Sequence, residues 1–165
     1  IDRKKSEFPA DRAPEAVRAE LRAGHDRIAA LFGDRALAAL APPWNRLDAR
    51  FLPLLAACGI AALSRRGARR AAQIAPGLVE ANIHVDLVDW RGDRGFIGEA
   101  EALAGILAHL QARRQGAGDA AEPTGILTHH HVTDAGAAAF LRALCAHVEA
   151  HGAARWLAGR EVFAL

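Results

Sequence analysis

Asn82-Ile83-His84-Val85-Asp86-Leu87-Val88-Asp89-Trp90 is the stretch that decides the fold class. Residues 82–88 join β-branched side chains to a polar end, which reads as a strand. Side chains alternate along a strand, so His84 and Asp86 are expected on one face. Ile97 to Arg114 then reads as an amphipathic helix with Leu103, Ile106, Leu107 and Leu110 as its apolar stripe. A loop rich in Gly, Ala and acid, Gln115 to Pro123, leads to a tight apolar strand, Gly125 to Thr128. Thr133 or Asp134 caps a helix to about His151, and Arg155 to Leu157 reads as a last strand.

Towards the amino end the alternation continues. Pro14 to Phe32 has a helical apolar period (Val17, Leu21, Ile28, Leu31, Phe32) with Pro14 at its first turn and Gly33 as a stop. Ala36 to Ala41 is a short apolar stretch ended by Pro42-Pro43. Asp48 caps a helix over Ala49 to Cys58 that Gly59 closes; Ile60 to Leu63 reads as a short buried strand before a basic loop, Arg65 to Arg70. Alternating helices and strands argue for an α/β fold of parallel βα units, with no internal repeat and no second domain.

Composition sets the bounds. The chain has 165 residues, 52% hydrophobic and 24% charged, enough for one globular domain with a buried core. Its 21 basic and 19 acidic residues leave a net charge of +2, without the positive footprint of a dedicated nucleic-acid binder. Cys58 and Cys145 lie in apolar helical contexts and read as buried free thiols, with a structural disulfide as the alternative. No apolar run is long enough to span a membrane, and the charged start, IDRKKSEFPADR, has no signal-peptide core. Localisation stays open with a lean to the cytoplasm, and the oligomeric state is open. The chain opens on Ile1 and contains no methionine, so a segment upstream of residue 1 is expected.

Three polar clusters each follow an expected strand, where α/β folds build their sites. His129-His130-His131 ends the Gly125 strand; imidazole suits acid–base work or metal ligation, and a solvent-exposed loop is the plain alternative. In Asp86 to Trp90 a carboxylate could orient an imidazole and an indole could stack on a sugar ring; the alternative is a strand end with Asp capping backbone amides. Pro42-Pro43-Trp44-Asn45-Arg46 is a stiff loop that could hold a Trp and a guanidinium, or only connect elements. His25, His109, His147 and His151 fall on helices and read as surface or boundary residues, with His84 a secondary candidate. The Arg65 to Arg70 run reads as a solvated loop or as a contact for an anionic substrate.

In this order the clusters resemble the C-terminal part of the polysaccharide deacetylase family, the family-four carbohydrate esterases. Pro42-Pro43-Trp44 is similar to that family's third motif, Asp86-Leu87-Val88-Asp89-Trp90 to its fourth (DxxDW), and Leu127-Thr128-His129 to its fifth (L-x-H). The resemblance covers roughly residues 36 to 134. It implies a distorted (β/α) barrel with outer helices, of which residues 1–165 form the later, incomplete part, since a closed barrel takes about 250 residues.

It also implies a metal-dependent hydrolase that removes acetyl groups from N-acetylated sugars or polysaccharide. A divalent metal, zinc by resemblance, would be held by ligands upstream of residue 1, so no metal ligand is assigned within the chain. His129 would be the general acid and Asp89 would hold its tautomer. Trp44 and Trp90 would shape the sugar groove, with Asn45, Asp86, His130 and His131 beside the substrate. The family places an Arg before its two prolines; here Ala41 stands there, and Arg46 is expected to supply the guanidinium. Two further readings stand beside this one: an inactive barrel that binds carbohydrate or a protein partner, and a separate metal site made by His129 to His131.

Overall fold

A computed structural model describes residues 5–165 of the chain. Residues 1–4, with the Ile1 start and the first charges of the amino end, lie outside the described residues. Helix α1 covers Pro14–Phe32, with proline in its first turn and Gly33 at its end at φ +51°, a conformation that glycine adopts at little cost. Its inner face buries Val17 and Leu21. Strand β1 is only Ala39–Leu40, cut off by the two prolines. Asp48 accepts a hydrogen bond from Arg50 N at 3.0 Å, capping a single 3-10 turn, Ala49–Phe51, that leads into α2, Leu52–Ala57.

Strands β2 (Ala62–Leu63), β3 (Gln73–Ala75), β4 (Leu78–Glu80), β5 (Ile83–Asp86) and β6 (Gly125–Leu127) follow, in two sheets ordered β1-β2-β4-β3 and β5-β6. Pairing is parallel between β1 and β2, between β2 and β4, and between β5 and β6. Ladder bonds run on past β2: Ile83 N donates to Arg65 O at 2.9 Å and Gly67 N to Ile83 O at 2.8 Å. An isolated parallel bridge between Arg66 and Ile83 thus brings β5 alongside the chain that follows β2 and links the two sheets. The fold is mixed α/β with a parallel-strand sheet. Strand β3, antiparallel to β4, forms a hairpin that the sequence reading left out; Pro76 and Gly77 (φ +69°) make its turn.

Helices α3 (Glu99–Arg114) and α4 (Ala135–His151) cover β5 and β6, and a short α5 (Gly159–Phe163) ends the chain. Asp134 is the α4 cap, accepting from Ala137 N at 2.8 Å. Residues 155–157 form no strand, and the regular structure begins only at Gly159. The expected stripe of α3 is also corrected. Leu103, Leu107 and Leu110 are exposed, whereas Ala102 and His109 are buried. Small residues decide this face, because a Cβ on Gly105 would stand 2.9 Å from Val85, so the helix approaches the sheet over Ala102 and Gly105.

The core has two parts. Phe51, Leu55, Leu63 and Val17 pack between α1, α2 and the first strands, each about 1.5–3 kcal/mol of burial. Val85, Leu87, Ala102 and Phe140 join β5 to α3 and α4. Cys58 is buried in the first part while Cys145 is only half-buried, and both are free thiols.

Candidate active site at the ends of β5 and β6

Two adjacent parallel strands deliver the site. Asp86 is the last residue of β5 and pairs in register with Leu127, the last of β6; His129 follows two positions later. Asp86 is buried, and its Oδ1 accepts from His129 Nε2 at 3.0 Å and from Val88 N at 3.1 Å. Its Oδ2 accepts from Trp90 Nε1 at 2.9 Å. The indole stands edge-on to the His129 ring, centroids 4.9 Å apart at 87°. A Thr133 hydroxyl and the Val132 and Thr133 amides all donate to His129 O, pinning the residue's backbone.

The carboxylate fixes the imidazole chemically as well as in space. With Nε2 donating to Asp86, Nδ1 is the nitrogen left to exchange a proton with a ligand. His129 remains partly exposed, so its free edge is reachable, and Trp90 presents half its surface to solvent beside it. This is an oriented acid–base group on the carboxyl rim of a parallel sheet.

Asp89 does not hold His129. Its Oδ1 accepts from Arg91 N at 3.0 Å and Gly92 N at 2.9 Å, so it caps the turn that carries Trp90. Asp86 has the place on the imidazole that the sequence reading gave to Asp89. Spacing explains the exchange: the first acid of the motif is still within the strand, and the second has already turned into the loop.

Arg46 also lies elsewhere. Its Nη1 donates to Lys5 O at 2.7 Å, and with Asn45 it lines a cleft whose wall includes neither Asp86 nor His129. Trp44 is 53% exposed. Trp44 and Asn45 both sit at positive φ, 55° and 56°, which is uncommon for a bulky side chain and costs on the order of 1 kcal/mol or more. His130 and His131 are exposed and face each other, ring centroids 4.1 Å apart. Among the described residues they belong to no group of three potential metal ligands, so the separate histidine metal site has no third ligand.

A second polar group was not assembled by the sequence reading, which held His84 as a secondary candidate and placed His109 at the surface or boundary. Beneath α3, His84, His109 and Glu122 bring potential ligand atoms within 4.8 Å of one another, a cluster that could hold a metal ion. Glu122 is fully buried, accepting from Arg69 N at 2.9 Å and Asn82 N at 3.2 Å. Its Oε2 lies 3.4 Å from His84 Nε2 and 3.8 Å from His109 Nε2. His109 Nδ1 meets Thr124 Oγ1 at 2.9 Å.

The cluster is closed as it stands. The two rings stack with centroids 3.4 Å apart, closer than two imidazoles can be on one ion with bonds of about 2.0–2.1 Å. Gly125 N donates to His84 Nδ1 at 3.0 Å, which puts the proton of a neutral His84 on Nε2, where a metal would bind. Loading would therefore require the rings to part and that bond to break. Burial pushes both histidines below the ordinary histidine value, and for His109 the neighbouring His84 adds to the effect; Glu122 opposes it.

His84 reaches this place through a β-bulge. Ile83 pairs with Gly125 and Val85 with Ile126, so β5 has one residue more than β6. Simple alternation, which put His84 beside Asp86, fails at that step, and His84 turns with Val85 towards α3. His109 was legible only as a position in phase with Ala102 and Gly105; nothing local in the sequence marks Glu122. No family model matches the chain, and no curated protein or solved structure does.

Proposed function

We propose that this chain carries the general-acid side of a metal-dependent deacetylase acting on N-acetylated sugars or polysaccharide, an amide C–N hydrolysis. The observation that supports it best is the Asp86–His129 bond with Trp90 against both groups, at the carboxyl ends of neighbouring parallel strands. In this reading Asp86 orients His129, the Nδ1 proton passes to the leaving amine, and the exposed Trp90 face receives the sugar ring. A divalent metal of the zinc type, with ligands outside residues 1–165, would polarise the acetyl carbonyl and activate water. The remaining strands of a deacetylase-type (β/α) barrel belong to the same proposal.

The alternative is an inactive relative that binds carbohydrate or a protein partner. Ala41, which replaces the family's Arg, favours it, as does the engagement of Arg46 with the Lys5 carbonyl. Acetate release from N-acetylglucosamine oligomers, assayed with zinc supplied on a longer chain that includes the segment expected to hold the metal, separates the two. The deacetylase reading expects release that falls about 10²-fold or more in His129→Ala. Sugar binding that depends on Trp90, with no release of acetate, would establish the alternative.

A further inference from the structure

Behind the loops that follow β1 and β2 lies a cleft of about 870 Å³, well apart in sequence from the His129 strand. Four guanidiniums, Arg46, Arg65, Arg66 and Arg70, line it together with two carboxylates, Asp48 and Glu80. The charges are not matched pairwise. Arg65 is compensated, its Nε donating at 2.6 Å to Glu80 Oε1, and Glu80 is itself buried. Asp48 uses Oδ1 on the Arg50 amide as a helix cap. Among the described residues Arg46 donates only to a neutral carbonyl, and Arg66 and Arg70 have no hydrogen-bond or ion-pair partner.

Three arginines without a carboxylate partner among the described residues thus line one concavity whose wall includes apolar Leu52 and Ile74. Like charges around a low-dielectric concavity raise its positive potential and favour a polyanion there. The planar fork of arginine matches the tetrahedral oxygens of phosphate, which can accept from several guanidiniums at once. A dianion answers three positive charges better than a monocarboxylate does. We propose that this cleft binds a small phosphate-bearing molecule, with Arg46, Arg66 and Arg70 as the phosphate clamp and Asn45 on its rim. The inference does not depend on the deacetylase reading, because none of these groups touches Asp86 or His129.

Titration of the protein with inorganic phosphate, glucose 6-phosphate, glucuronate and glucose, followed by amide NMR shifts, tests it. Saturable binding of both phosphates is expected, about tenfold weaker for glucuronate and absent for glucose. Arg66→Ala/Arg70→Ala should lower phosphate affinity by about 10²-fold with an unchanged melting temperature, since both residues are exposed and their side chains make no hydrogen bond or ion pair among the described residues. Absence of saturable phosphate binding overturns the proposal. So does glucuronate binding as tightly as phosphate, or a double variant that binds phosphate like the parent. Acetate release is not a readout here, so failure of either proposal leaves the other standing.

Discussion

His129 Nε2 and Asp86 Oδ1 meet at 3.0 Å across 43 residues of chain, joined by the pairing of β5 with β6. Asp86 also accepts from Val88 N and Trp90 Nε1, so one carboxylate orients the imidazole, the strand end and the indole together. Asp86→Asn can satisfy these three donors only in part, because its amide nitrogen must face one of them. Acetate release should fall by about 10²–10⁴-fold and stability by about 1–3 kcal/mol. Wild-type kcat in a folded Asp86→Asn protein would remove Asp86 from the chemistry.

Glu122 joins three separate segments: the Arg69 amide, the Asn82 amide and the two histidines. Glu122→Gln keeps the size but puts an N–H₂ against one of the two amide donors. An unmet buried donor costs about 1–3 kcal/mol, so the urea midpoint should drop with m unchanged. An unaltered midpoint would mean that the loop repacks around the amide at no cost.

Acid should loosen the same region. His84 and His109 are held below 6.5 in the fold, chiefly by burial, so the unfolded chain binds more protons once the pH falls through about 6.5. Stability is therefore full above that value and declines beneath it. A second loss follows below about 4, where the unfolded chain takes up protons at Asp119 and Asp134 that the fold, first through the amides of Ala121 and Ala137, keeps off. Urea midpoints measured from about pH 7.5 down to 5 should fall, and the slope should lessen in a folded His109→Gln variant; a flat profile in the parent would refute the account.

Gly125 admits no side chain. A Cβ there would stand 2.3 Å from Asn82 O, which is backbone and cannot swing aside. Gly125→Ala should cost about 3 kcal/mol or more and weaken protection of the β6 amides in hydrogen exchange. Intact protection in this variant would show that the strands separate at little cost.

How far the sequence carried this picture depended on the kind of element. Pro14, Gly33 and Asp134 mark helix ends by chemistry that acts within one turn, and α1 and the α4 cap lie where those residues put them. Strands of two to four residues carry too few alternations to read, and the β3–β4 hairpin was passed over although Pro76-Gly77 announces its turn. On α3 the leucines dominate the apolar period, yet contact distance to the sheet favours Ala102 and Gly105, and His109 goes inward with them. Within the candidate site, Asp86, Trp90 and His129 were all named, but the choice between Asp86 and Asp89 turned on where the strand stops. No one-dimensional pattern fixed that point.

The bulge at His84 has a consequence beyond the buried cluster. Counted in twos from Ile83, which pairs with Gly125, Asp86 has odd parity and should point to the helices. One supernumerary residue reverses that parity, so Asp86 comes level with Leu127 and on the side where His129 emerges. Drawn out flat with all its residues kept, this strand would carry acid and imidazole on opposite sides of the sheet, whereas deleting the extra residue would leave Asp86 level with Leu127 and take only the buried cluster apart.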